Sequence, residues 1–136
     1  MKIAHLIRKD FLIINPFNGL NAVKKKLLER TVLVVQDESQ FYGILTMNDI
    51  VSNPEILVID CLSIKKLVDS EQSVQEVISE MNTVNTDVLP VGEDGNFIGL
   101  VFKNELYKYL SEYNLELETD IQERTLALKK YWRPKI

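Results

Sequence analysis

The chain has 136 residues, 46% of them hydrophobic and 26% charged, with a formal net charge of −4. That length and balance describe one ordinary globular domain. A surface built for a phosphate backbone is basic, so the acidic balance argues against a nucleic-acid partner. No apolar run approaches the roughly 18 residues of a membrane span, so no membrane partner is expected either.

The opening residues, Met1 to Asp10, break into charge too soon for a signal peptide. Phe11-Leu12-Ile13-Ile14 is a short apolar run stopped by Asn15-Pro16, which predicts a strand ending in a turn. Leu20, Val23, Leu27 and Leu28 then recur at helical spacing, with Asn18 or Gly19 at the cap. Lys24-Lys25-Lys26 within that helix reads as a solvated face in preference to an anion patch. Thr31 to Val35 is β-branched and apolar, a buried strand. Asp37-Glu38-Ser39-Gln40 makes a turn, and Tyr42 to Leu45 returns as a second strand. Helical character resumes at Met47, and Asn53 to Asp60 reads as a link.

The same order then recurs. Ile64 to Val68 is expected as a leading strand, and Ser73-Val74-Gln75-Glu76 has capping-box spacing. Val74, Val77, Ile78 and Met81 continue that helix. Val88 to Val91 reads as a strand, with Pro90 suggesting an edge or an interrupted ladder. Gly92 to Asn96 is a hairpin turn, Phe97 to Phe102 the return strand, and Asn104 to Leu110 the start of a helix. Tyr113 to Trp132 is a charged amphipathic segment, with Leu117, Ile121 and Leu128 able to line one face.

The two halves match without a gap over their hairpins. Phe41 to Ile50 is echoed by Phe97 to Leu106 at a constant offset of 56, and Leu33 and Val35 fall on Leu89 and Val91. The helices are offset by only 54, so the second copy gains two residues around Asn82 to Asp87. A unit this short cannot bury its apolar face alone, so two copies should pack on each other and leave a cleft at their seam. The predicted architecture is α+β, with a first repeat at 1–54, a second at 55–112 and a C-terminal amphipathic helix at 113–136.

Catalytic chemistry is poorly provided for. The single histidine, His5, has no partner at metal-ligand spacing, and the single cysteine, Cys61, lies among Ile59, Leu62 and Ile64 as a small buried hydrophobe. No nucleophile–base pair or metal cluster can be assembled from them, so neither an enzyme nor a metal site is expected. One cysteine also suits a reducing, cytoplasmic setting.

Each unit ends in a strand, a glycine and a helix start that carries an acid. In the first this reads Gly43-Ile44-Leu45-Thr46-Met47-Asn48-Asp49. The three-residue spacing aims the Thr46 hydroxyl and the Asp49 carboxylate at one region, where the acid could accept both hydrogen bonds of a ribose diol and the helix start would favour phosphate. The same residues also make a good helix cap. Gly43 and Gly99 mark places where the backbone bends or is closely approached.

Two β-α-β-β-α units ending in this motif resemble a tandem of cystathionine-β-synthase-type (CBS) domains, the pair called a Bateman module, over about Leu6 to Leu110. The resemblance implies pseudo-two-fold packing and a regulatory role, without a required cofactor. It also implies an adenosine-containing ligand, such as AMP, ADP, ATP or S-adenosylmethionine, in a cleft between the repeats. It further implies a homodimer and a partner enzyme. By that resemblance Thr46 lies near the phosphate, Asp49 holds the ribose, and Ile14-Asn15-Pro16 contacts the adenine. The second copy departs from the motif: Phe102 stands for the hydroxyl and Glu105 for the Asp, with Lys103 as a candidate phosphate contact. The first cleft is therefore expected to be the working one. The alternative is a structural or protein-interaction pair that holds no nucleotide and acts through its dimer face or its C-terminal helix.

Overall fold

The computed structural model describes residues 2–113. In the first unit β1 (Ile13–Ile14) pairs in parallel with β2 (Val32–Asp37), across the helix α1 (Leu20–Arg30). β2 then turns back antiparallel into β3 (Gln40–Thr46), and α2 (Met47–Ser52) follows. After a short helical turn, α3 (Val58–Cys61), the pattern repeats as β4 (Val68–Asp69), α4 (Val74–Val84), β5 (Val88–Glu93) and β6 (Asn96–Phe102), then a helix α5 over residues 103–113. The result is α+β: two three-stranded sheets, ordered β1-β2-β3 and β4-β5-β6. The amphipathic segment expected beyond Tyr113 lies outside the described residues. Among the described residues no helix is long and apolar enough to cross a membrane.

The offset of 56 is visible in the ladders. Val32↔Thr46 through Asp37↔Gln40 is reproduced by Val88↔Phe102 through Glu93↔Asn96, and the register shift after Val35 recurs after Val91. The two extra residues of the second copy fall where the offsets require. Thr31 alone joins α1 to β2, whereas Asn85, Thr86 and Asp87 join α4 to β5.

Local chemistry accounts for most of the boundaries. α1 is capped by Gly19 and α4 by Ser73, whose hydroxyl accepts from the Glu76 N–H at 3.1 Å. Both helices end on a left-handed residue, Thr31 (φ 64°) and Asn85 (φ 54°). α1 buries Leu20, Val23 and Leu27. Leu28, expected with them, lies one residue past the stripe and is 72% exposed. Lys24, Lys25 and Lys26 are exposed.

The second leading strand is shorter than expected. It starts at Val68, not Ile64, as β1 starts at Ile13, not Phe11, and Pro90 accounts for one of the missing residues. In the first unit the Val34 N–H donates to the Leu12 carbonyl at 2.9 Å. Pro90 stands 56 residues on and has no N–H, so the equivalent pairing, at Leu67, is lost; Ile64, further back, is fully exposed. Pro90 nonetheless sits in the central strand of its sheet, not at an edge. Its partner Leu100 turns both its backbone groups away, to Arg8 (2.7 and 2.9 Å), so β6 asks nothing of the missing donor.

Each unit has its own core, and each core is closed by a segment from before the other unit. Ile3 is buried with Val74, Val77, Met81 and Leu106 of the second unit, while Val58 and Cys61 are buried with Leu20, Val23 and Leu45 of the first. The stretch that reads as a plain link thus ends in core. The two crossings match: Ile3 N–H donates to Gln72 O and Val58 N–H to Asn18 O, both at 3.0 Å. Gly99 exists for one of them. A Cβ there would stand 2.6 Å from the Arg8 carbonyl oxygen, whereas Gly43 is required by its own φ of 148°.

A third core lies at the seam. Val32, Val34 and Ile44 meet Val88 and Leu100, with Phe11, Phe41, Phe97 and Phe102 packed around them. Phe41 and Phe97, equivalent positions of the two units, stack on each other at 4.2 Å and 3°. Equivalent residues can meet in this way only close to a pseudo-two-fold axis.

Candidate functional site

Thr46 ends β3 and Asp49 lies in the first turn of α2, as their spacing predicts. Thr46 donates to the Asp49 carboxylate from its backbone N–H (2.8 Å) and from its hydroxyl (3.1 Å). The acid therefore serves the helix start as well as any ligand. α2 is only six residues long, too short for its dipole to hold a phosphate unaided.

Both residues line a hollow of about 560 Å³ at the seam. Its walls come from both units: Thr46, Asn48 and Asp49 of the first, Ser63 and Lys65 of the crossing segment, and Val84, Asn85 and Thr86 of the second. The two-residue extension of the second copy thus falls on the rim of this hollow. The volume lies within the roughly 300–1,000 Å³ of small-molecule sites.

The acid does not stand free in it. Asp49 is 3% exposed and Lys65, at 8%, is paired with it at 2.7 and 2.9 Å. Ser63 adds a hydroxyl donor to the same carboxylate. Lys65 also donates to the Ile44 carbonyl at 3.3 Å and to the Ser63 hydroxyl oxygen at 3.0 Å. The sequence motif does not single out Ser63 or Lys65 as site residues. One rule could have found them: a carboxylate buried for function requires a cation nearby.

The remaining candidates lie elsewhere. Ile14 is buried in the first core, Asn15 accepts from the Phe17 N–H at 2.9 Å to close a turn, and Pro16 accepts from the Ile59 N–H at 2.9 Å. None of the three lines the hollow. Around the second motif, Phe102 borders a smaller space of about 180 Å³ with Arg8, Asp10, Arg30 and Val32. Glu105 faces a separate surface depression with Tyr109 and Glu112. Its carboxylate pairs with Arg8 at 3.3 Å, where Arg8 is half-exposed. The Lys103 N–H donates to the Asp87 carbonyl at 2.8 Å, and the structure does not bring Lys103 to either space. Arg8 is gripped more firmly by Asp10, at 3.0 and 3.1 Å. That pairing raises the guanidinium above its ordinary value and holds the Asp10 carboxyl below the usual carboxylate range.

Comparison with known proteins gives a consistent picture. No curated protein sequence matches the chain. Among solved structures, a protein with CBS domains from Burkholderia ambifaria MC40-6 superposes with a TM-score of 0.72 at 20% identity, covering 81% of this chain and 93% of that one. The CBS domain pair of protein MJ0100, solved with 5′-methylthioadenosine and S-adenosyl-L-methionine, gives 0.70 at 16% identity, covering 83% and 98%. The cytosolic domain of the Mg²⁺ channel MgtE, solved with ATP, gives 0.65 at 20% identity, covering 79% of this chain and 48% of that one. The CBS domain family is matched twice, at residues 3–55 and 66–112. The chain belongs to that family, as a tandem CBS pair.

Proposed function

We propose that this CBS pair is a regulatory module that binds an adenosine-containing ligand in its first cleft, and acts by binding, not by turnover. One observation carries the reading. Thr46 and Asp49 open onto a hollow of about 560 Å³ walled by both repeats, so that an occupant would touch both at once. A ligand placed there favours one relative setting of the repeats, which is what a regulatory signal requires. The ligand class is supported by related pairs solved with ATP and with S-adenosyl-L-methionine. Asp49 would take the ribose diol, with Thr46 beside it. The second cleft, where Phe102 and Glu105 border separate spaces, is expected to stay empty. The module is assigned to the cytoplasm, as a homodimer that controls a partner enzyme.

Calorimetry of the full chain with AMP, ADP, ATP and S-adenosylmethionine tests this. One site per chain, lost in Asp49→Ala, is the expected result. Silence with all four at millimolar concentration refutes it.

The Lys65–Asp49 pair favours a second reading, in which the cleft is closed by its own side chains and the pair is a scaffold. That reading predicts no ligand, and partner capture that depends on the residues after Tyr113.

A further inference from the structure

Asp49 is already saturated. Its two oxygens receive the Thr46 N–H, the Thr46 hydroxyl, the Ser63 hydroxyl and the Lys65 ammonium, the last on both. A carboxylate offers about four lone-pair positions. A ribose diol cannot be added to this set; it must replace a member of it. The Thr46 N–H is fixed by the start of α2. The two hydroxyls can turn away about one bond each, but Lys65 lies across both oxygens, so a diol that bridges them must displace its ammonium, which rides on a flexible four-carbon stem.

Lys65 and Asp49 are also the charged side chains among the residues lining the hollow, and together they are neutral. Once a diol takes the carboxylate, the ammonium has lost its counter-charge in a largely buried place, which is costly. A ligand with a phosphate supplies a new counter-charge in the same molecule. Neutral adenosine or 5′-methylthioadenosine supplies none. S-adenosylmethionine brings a sulfonium and an ammonium against one carboxylate.

We infer that Lys65 is the specificity-determining residue of the first cleft: it competes with the ribose for Asp49, and yields only to a nucleotide whose phosphate it can pair with. This rests on the reading just proposed and sharpens it. The site would discriminate by charge, taking anionic adenine nucleotides above neutral or cationic adenosyl compounds. It makes Lys65, rather than the six-residue α2, the phosphate contact.

The test is calorimetry of the full chain with AMP, adenosine and 5′-methylthioadenosine, for wild type, Lys65→Met and Lys65→Arg. Wild type is expected to bind AMP at least tenfold more tightly than either neutral compound. Lys65→Met removes the competitor and the phosphate partner together. Adenosine should then bind more tightly than to wild type and AMP more weakly, so that the preference falls to parity or inverts. Lys65→Arg keeps the charge and should keep the preference for AMP, and a cooperative thermal melt of Lys65→Met above the temperature of the titration shows that the Met variant is folded when it is tested. Equal binding of AMP and adenosine to wild type overturns the inference while leaving the adenosyl site intact, as does a parallel change of both in Lys65→Met. Failure of every compound with every variant overturns the site itself.

Discussion

A double-mutant cycle on Asp49 and Lys65 tests the physical core of this site without any ligand. Lys65→Met keeps the length of the stem and removes the ammonium. It leaves a carboxylate that is 3% exposed with three hydroxyl or amide donors and no counter-charge. Breaking a buried pair from one side costs about 3–5 kcal/mol. The three remaining donors place this case at the lower end, about 3 kcal/mol. Asp49→Asn strands the ammonium instead, with the Ile44 carbonyl and the Ser63 hydroxyl as acceptors, and should cost a similar amount. In the double variant neither charge remains, and the introduced amide oxygen still accepts from the Thr46 N–H. Its cost should be about 2–3 kcal/mol rather than the sum of about 6, giving a coupling of about 3–4 kcal/mol. Urea melts with a constant m-value give these numbers. In thermal scans each single variant should melt about 12 °C lower, at roughly 4 °C per kcal/mol for a domain of this size. Single costs that add to within about 0.5 kcal/mol would refute the reasoning. The two groups would then be solvated separately, and Lys65 would be no obstacle to a ligand.

Other perturbations address the frame of the site. Gly99→Ala places a methyl group against the Arg8 carbonyl. It should cost about 2–3 kcal/mol from overpacking and from loss of the two Arg8–Leu100 hydrogen bonds, with hydrogen exchange rising at residues 3–8; unchanged exchange there would count against the crossing. Phe97→Ala removes the ring shared by Phe11 and Phe41 and should cost about 3 kcal/mol in a urea melt, weakening any ligand of the cleft in step. Thr31→Asn relieves a β-branched residue held at φ 64° and should stabilise the chain by about 1 kcal/mol, read as a higher urea midpoint. Asp10 is held below the usual carboxylate range by Arg8. Its contribution to stability is therefore present above that range and lost as pH falls through the lowered value. The melting temperatures of wild type and Asp10→Asn should converge on acidification, and a gap that widens would reverse the sign.

Much of the frame was legible because duplication writes itself into register. An offset of 56 over Phe41–Ile50 is enough to place β5 and β6 once β2 and β3 are placed. The change to 54 over the helices locates the extra residues at Asn85–Asp87. The motif likewise brought Thr46 and Asp49 to one hollow. What stayed hidden is non-local. Nothing near Ile3 says that it belongs to the core of α4, because a crossing is decided by which surface is left bare, not by local pattern. Ile64-Lys65-Lys66-Leu67 reads as a strand by composition. Pro90, some 25 residues on, denies Leu67 a partner, and the rest stays outside the sheet as Phe11 and Leu12 do in the first unit. That unpaired stretch carries Lys65 to Asp49, at the place where the first unit has Phe11, so no feature of the repeat announces the ion pair.

The two clefts diverge by a few exchanges at equivalent places. Phe102 stands for Thr46, Glu105 for Asp49, and Thr31 alone stands where Asn85 to Asp87 widen the rim of the other. Thr46 and Asp49 share one hollow of about 560 Å³, whereas Phe102 and Glu105 border separate spaces of about 180 and 530 Å³. The acids diverge too: Glu105 meets its cation in a half-exposed place, where a pair is worth little, and Asp49 meets its own where solvent is excluded. On the proposed reading, with one working cleft per chain, a repeat built on a two-fold pattern has no second site through which to cooperate with itself. Binding to a lone chain must then follow a simple hyperbola. A sigmoidal isotherm would require a second copy of the chain, and its steepness should fall as the protein is diluted.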